Sequence, residues 1–186
     1  MLVDPAAECA LMGGADSATE CLMNQELHRA LAELQFSAAL SDASLKKLGE
    51  LVQSCEFATG NVIFSEGDEH PRLYLISAGE VALEMCVPAR GCTRILTLGP
   101  GELLGWSALF GEARMTATAI AQTSVHLLVA SGQAVHALCE ADHEFGYELM
   151  REIAAALSKR LVATRLQLLD LYDVSNGRQL SSAALE

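Results

Sequence analysis

Basic residues are scarce in this chain. Twelve Lys and Arg stand against twenty-four Asp and Glu, a formal net charge of −12. Phosphate backbones are held by clustered Lys and Arg, so this balance argues against a nucleic-acid-binding face. The acidity itself reads as solubility. Long apolar runs are missing too: the longest clean ones are strand-sized, far short of a membrane span. The first stretch, MLVDPAAECALMGGAD, has no basic n-region and is broken by Asp4, Pro5 and Glu8, so it does not read as a signal peptide. A cytoplasmic location with no membrane contact is the resulting expectation.

Ligand spacings are also missing. Cys9, Cys21, Cys55, Cys86, Cys92 and Cys139 include no Cys-x-x-Cys pair and no zinc-ligand spacing. Cys86 and Cys92 flank a short loop and can face each other across a hairpin. In a reducing compartment they read as small apolar residues, with a redox sensor pair as the alternative. His28, His70, His126, His136 and His143 form no i,i+4 pair and no His-x-Glu. There is no Ser/His/Asp set in a nucleophile-elbow context and no Walker loop, and Gly99-Pro100-Gly101 is a turn. No metal site and no catalytic residue is expected, and the chain does not read as an enzyme.

What the chain does have is a change of period. Hydrophobic residues make up 51%, enough for one domain with a core. Residues 1–19 mix Gly, Ala, Asp and Ser without period and read as a flexible leader. Residues 20–54 carry helical spacing, first through Leu22, Leu27, Leu31 and Leu34, then behind Ser41 as an N-cap with Leu45, Leu48 and Val52. Residues 55–130 switch to short strands bounded by turns, which indicates a double-sheet β fold such as a jelly roll. Residues 131–174 return to helix, with Ser131 starting a short one and Asp142 capping a long one to about Val174. Residues 175–186 read as a tail.

Along the long helix Tyr147, Met150, Ala154, Leu157, Leu161, Thr164, Leu168 and Leu171 form a heptad seam. Leu149, Ile153 and Ala156 already supply a side facing the roll, so the seam predicts a homodimer through residues 147–171.

The most informative run is Gly99–Ala121, GPGELLGWSALFGEARMTATAIA. It reads as strand, tight turn, short helix and second strand. A helix start between two strands offers unpaired N–H groups and a positive dipole end, an arrangement that holds an anion.

Several glycine turns come in a distinctive order. They are Gly60-x-x-Ile63-Phe64-x-Glu66-Gly67-Asp68, Leu73-Tyr74-x-Ile76-x-x-Gly79-x-Val81 and Leu98-x-Pro100-Gly101-Glu102-x-x-Gly105, followed by Ala108-Leu109 and Thr116-Ala117-Thr118. This pattern resembles the cyclic-nucleotide-binding domain of the Crp/Fnr type, over about residues 35–174. The resemblance implies a mainly β fold, a jelly roll with flanking helices and a long C-terminal dimerisation helix.

It also implies a phosphate cassette of the form Gly-Glu-x-Ala-Leu and then Arg-Ser/Thr-Ala. The glutamate takes the ribose 2′-hydroxyl and the arginine forks onto the phosphate. Gly105, Ala108, Leu109, Thr116 and Ala117 match this pattern, and Ser107 lies among them. Trp106 stands at the glutamate position and Met115 at the arginine position. Losing both contacts costs roughly 3–6 kcal/mol, enough to move a micromolar site toward millimolar. Arg114 is the candidate replacement, through a bulge that re-aims it; otherwise it is a solvated loop residue. Trp106 either plugs the ribose space or stacks on a planar ligand. Thr164 lies where the family's long helix often faces a hydroxyl to the base. The family's haem and iron–sulfur sensors use Cys or His ligands, for which no spacing exists here.

Family transcription factors follow the long helix with a helix-turn-helix. Twelve residues follow Val174 here, too few for a recognition helix. The expectation is therefore a stand-alone bacterial regulatory sensor without direct DNA binding. It takes cyclic AMP, cyclic GMP or another small anion, signals through a dimer helix and needs a protein partner for output. The alternative is a ligand-independent dimeric scaffold with a degenerate nucleotide pocket.

Overall fold

A computed structural model describes residue 27 and residues 29–87, 91–110 and 113–183, with side chains up to residue 166 except at 38 and 87. The leader expected over 1–19, Cys9, Cys21 and the start of the first helix lie outside the described residues, as do the side chains of Leu168 and Leu171. Residues 29–33 are helical and bury Leu31. A 3-10 turn, Gln35–Ala39, leads to α1, Asp42–Gly49. Ser41 caps α1 as its sequence predicts, its Oγ accepting from the Ser44 amide at 3.3 Å. Leu45 and Leu48 are buried on the helix, and Val52 is buried beyond its end.

Eight strands follow: β1 (Gln53–Phe57), β2 (Val62–Phe64), β3 (Arg72–Ala78), β4 (Val81–Val87), β5 (Gly91–Leu98), β6 (Leu103–Leu104), β7 (Thr118–Ala121) and β8 (Val125–Ser131). They form two antiparallel four-stranded sheets, in the orders β1-β8-β3-β6 and β2-β7-β4-β5. This is the expected mainly β jelly roll with flanking helices. Strand alternation explains why one sheet is buried on both faces. Tyr74, Ile76, Leu127 and Val129 point between the sheets, where they meet Ile63, Val81, Leu98 and Met115. Their neighbours Leu73, Leu75, Leu128 and Ala130 point the other way, onto the helices.

Two helices close that outer face. α2 (Gly132–Ala141) starts at Ser131, whose Oγ accepts from the Ala134 amide at 3.4 Å. Gly132 lies so close to the Ala108 carbonyl that a Cβ would stand 2.3 Å from its oxygen. α3 (His143–Ala183) starts at Asp142, whose Oδ1 accepts from the Glu144 and Phe145 amides at 3.1 Å each. It runs past the end expected near Val174 and through most of the expected tail. No proline interrupts it, and Gly177 costs about 1 kcal/mol without breaking a helix. Phe145, Leu149 and Ile153 bury its roll-facing side.

The reading of Cys86 and Cys92 as separate apolar residues is corrected: they form a disulfide. The β4–β5 ladder places them directly opposite each other, with Cα atoms 3.9 Å apart. Cys55 is buried between the sheets as a small apolar residue. No described helix is long and apolar enough to cross a membrane.

Candidate functional site: a hollow between the cassette and the long helix

β6 pairs with β3 at Leu104 and Tyr74, and the chain then turns sharply at Gly105. Gly105 has φ +73°, and a Cβ there would lie 2.4 Å from the Arg72 carbonyl oxygen. Only glycine meets both demands. The helix expected after it is a single 3-10 turn, Trp106–Leu109, with the Ala108 amide donating to the Gly105 carbonyl at 2.9 Å. Four residues align too few peptide units for a substantial dipole. The dipole contribution expected at this point is therefore reduced to a few local amides.

The return strand is anchored on the turn around Gly67. The Met115 amide donates to the Asp68 carbonyl at 2.9 Å, and the Gly67 amide donates to the Met115 carbonyl at 2.8 Å. Extended backbone turns adjacent side chains to opposite faces. Met115 goes inward and is 3% exposed. Arg114 goes outward: its Nη1 donates to the Gly67 carbonyl at 2.7 Å, and its Nη2 stands 3.6 Å from Glu69 Oε1. The left-handed Ala113 (φ +53°) just before it does not turn Arg114 into the cassette.

Gly105, Trp106 and Ser107 form one wall of a small hollow, and Met115, Thr116 and Ala117 form another. Its volume is about 30 Å³, room for one or two waters. Sites for small organic ligands are roughly tenfold larger or more. Trp106 is half-buried, packs against the helix-side core and has its ring centroid 6.3 Å from that of Phe110. Ala108 and Thr164 are not part of these walls. The Ala108 carbonyl faces Gly132, and the exposed Thr164 donates its hydroxyl back to the Arg160 carbonyl at 2.9 Å.

Sequence reasoning missed the cation in this hollow. Arg160, on α3, lines it and donates from Nη2 to the Leu103 carbonyl. Burial lowers its pKa from the ordinary value, and the charge of Glu102 works the other way. The signal was present in the spacing. Leu149, Ile153 and Ala156 mark the roll-facing stripe, and the next position in its alternation of four and three is residue 160. A charge at that place is unusual. Arg160 also borders a second cavity of about 140 Å³, walled by Gly101, Glu102, Glu152, Ala156 and Lys159. Its side chain thus borders two voids. A larger groove of about 320 Å³ lies beside Leu51, Pro71 and Ser131, with no cassette residue in its walls.

The sequence profile of the cyclic nucleotide-binding domain matches residues 54–142. The N-terminal domain of a transcriptional regulator from Streptomyces coelicolor A3(2) is similar in structure. It has a TM-score of 0.59 and 30% identity, over 72% of this chain and 94% of that one. This chain belongs to the cyclic nucleotide-binding domain family. Two curated relatives of the domain are similar in sequence. The CRP-like cAMP-activated global transcriptional regulator of Mycobacterium tuberculosis is 25% identical over 76% of this chain, and the cyclic AMP receptor protein of Thermus thermophilus is 31% identical over 69%. The match spans 61% and 57% of those two proteins' lengths. Within the cyclic nucleotide-binding domain, Trp106 and Met115 stand where the resemblance implied a glutamate and an arginine.

Proposed function

We propose that this chain is a regulatory binding module, a sensor whose ligand enters between the cassette and α3 and resets the pose of that helix. The observation that carries this reading is that one helix does two things. α3 walls the hollow through Arg160, and it also leaves Tyr147 68% and Leu161 53% exposed, although Met150 and Leu157 of the expected seam pack partly against the chain's own helix-side core. A ligand that prefers one arrangement of cassette and helix shifts the population of helix poses, and a surface on the same helix reports the shift. That surface suits a second copy of this chain, through residues 147–171, and a downstream protein partner would read the pair. The ligand class is a small anion, with cyclic AMP as the first candidate from the relatives' names and cyclic GMP beside it. The hollow as it stands is too small for either, so binding requires Trp106 and Arg160 to move.

The small volume favours a second reading, a scaffold that dimerises without ligand. Calorimetric titration with cyclic AMP, cyclic GMP and cyclic di-GMP separates the two. The sensor reading expects saturable heat with at least one. Silence with all three, alongside an unchanged dimer, supports the scaffold.

A further inference from the structure

Cys86 and Cys92 face each other near the end of the β4–β5 hairpin, and both are exposed. The Cys86 amide donates away from β5, to Glu66 Oε2 at 3.0 Å, so the two cysteines form a non-hydrogen-bonded cross-strand pair. That register brings opposite side chains closest. The hairpin does not depend on the bond for closure. Its ladder already pairs the strands from Val81 opposite Leu98 to Val87 opposite Gly91. A bridge between residues only six apart also removes less chain entropy than a long-range one. A covalent link of small structural worth, open to solvent, is placed for thiol–disulfide exchange. The free cysteines among the described residues are not so placed. Cys55 is buried, and burial, then the charge of Glu140, raise the pKa of the Cys139 thiol.

The pair is joined to the cassette by two routes. β4 carries both Cys86 and Leu83, and Leu83 lines the hollow. Glu66, which accepts from Cys86, donates its own amide to Thr118 Oγ1 at 3.0 Å. The next amide, that of Gly67, donates to the Met115 carbonyl at 2.8 Å. Glu66 and Gly67 thus tie the hairpin to both ends of the segment that supplies Met115, Thr116 and Ala117 to the hollow.

We propose that Cys86–Cys92 is a redox-active disulfide that exchanges with low-molecular-weight thiols, and that its opening loosens the return strand of the cassette through Glu66. One small thiolate attacks a sulfur of the pair, the S–S bond breaks and a mixed disulfide forms. A second thiolate attacks the mixed disulfide and releases the other cysteine. Two electrons pass to the protein, two protons end on the Cys86 and Cys92 sulfurs, and the small thiols leave as their own disulfide. No ligand in the hollow is required, so this site stands apart from the sensor reading.

The test places the folded full chain in glutathione buffers of graded reduced-to-oxidised ratio at neutral pH. Acid quenching, alkylation and peptide mapping by mass spectrometry then read each cysteine. Cys86 and Cys92 are expected to pass together from unalkylated to alkylated along the series and to return on reoxidation. A pair closed at every ratio is a fixed staple and overturns the proposal; a pair alkylated at every ratio does so too. Hydrogen exchange over residues 114–118 reads the coupling. It is expected to run roughly 2- to 10-fold faster in the reduced protein, the equivalent of about one hydrogen bond. The difference is expected to vanish in Glu66→Ala while its cysteines still convert. A double variant, Cys86→Ser with Cys92→Ser, checked for folding by thermal melting, is expected to match the reduced form without glutathione. Equal exchange in the oxidised and reduced parent overturns the coupling, and a difference that survives in Glu66→Ala overturns the route through Glu66.

Discussion

Gly105 carries more structural demand than any other residue of the cassette. Its left-handed backbone and the Arg72 carbonyl, 2.4 Å from where a Cβ would stand, leave no room for a side chain. Gly105→Ala is expected to lower stability by roughly 1–3 kcal/mol, read from the midpoint of urea unfolding. An unchanged midpoint would mean that β3 and the cassette relax apart at no cost. Residues bound to their neighbours in sequence were the legible ones. Gly105, Trp106, Ser107, Met115, Thr116 and Ala117 came from the cassette pattern that the resemblance implies, which is local in sequence, and they do line one hollow. Arg160 did not, because its place depends on how a distant helix crosses the roll. Arg114 shows the converse: its proximity in sequence to the expected arginine says nothing about which way strand geometry aims it.

At the scale of elements, the question is how α3 is held. Its first turns are tied to α1 through polar contacts. Lys47 pairs with Asp142, and Glu148 Oε2 accepts from the Ser41 amide and hydroxyl, both at 3.0 Å. Farther along, the Arg151 guanidinium donates to the Ala39 carbonyl at 2.8 Å. The hydrogen bond from Lys47, then that from the Phe145 amide, hold the Asp142 carboxyl below its usual range. The Ser41 amide, then the Ser44 side chain, do the same for Glu148.

Both carboxyls are thus more acidic folded than unfolded. Their contribution is complete above the unfolded values near pH 4 and disappears as pH falls through the lower folded ones. Glu148→Gln is therefore expected to be less stable than the parent at pH 7, with the gap closing in acid. Denaturant melts at a series of pH values check it, and a gap that widens in acid contradicts it. The helix caps Ser41, Ser131 and Asp142 were legible because capping is local. The bond between Ser41 and Glu148 was not, since it spans most of the chain. The facing of Cys86 and Cys92 across the hairpin was legible, but their bond was not the favoured reading, because that reading argued from compartment.

At the scale of the whole molecule, two cores divide the work. One fills the space between the sheets, and the other lies between the β1-β8-β3-β6 sheet and the helices. α3 belongs to the second core on one side only. The opposite side exposes Tyr147, Leu161, Val162 and Leu166. Leu161→Glu is expected to convert a dimer to monomer in sedimentation equilibrium while changing the folded monomer's stability by less than about 0.5 kcal/mol. A dimer that persists would place the contact elsewhere. The jelly roll was legible because alternating strands, glycine turns and helical stripes all agreed. The state of the pocket was not, because volume is set by side chains converging from several elements.

The central claim is that an anionic ligand enters between the cassette and α3. Trp106 is the sole tryptophan of the chain and lines that space, so its emission reports on the site alone. Titration with cyclic AMP, cyclic GMP, cyclic di-GMP and inorganic phosphate is expected to give a saturable change in intensity or wavelength with at least one, weakened by added salt. Emission that stays flat with every one of them would contradict the account.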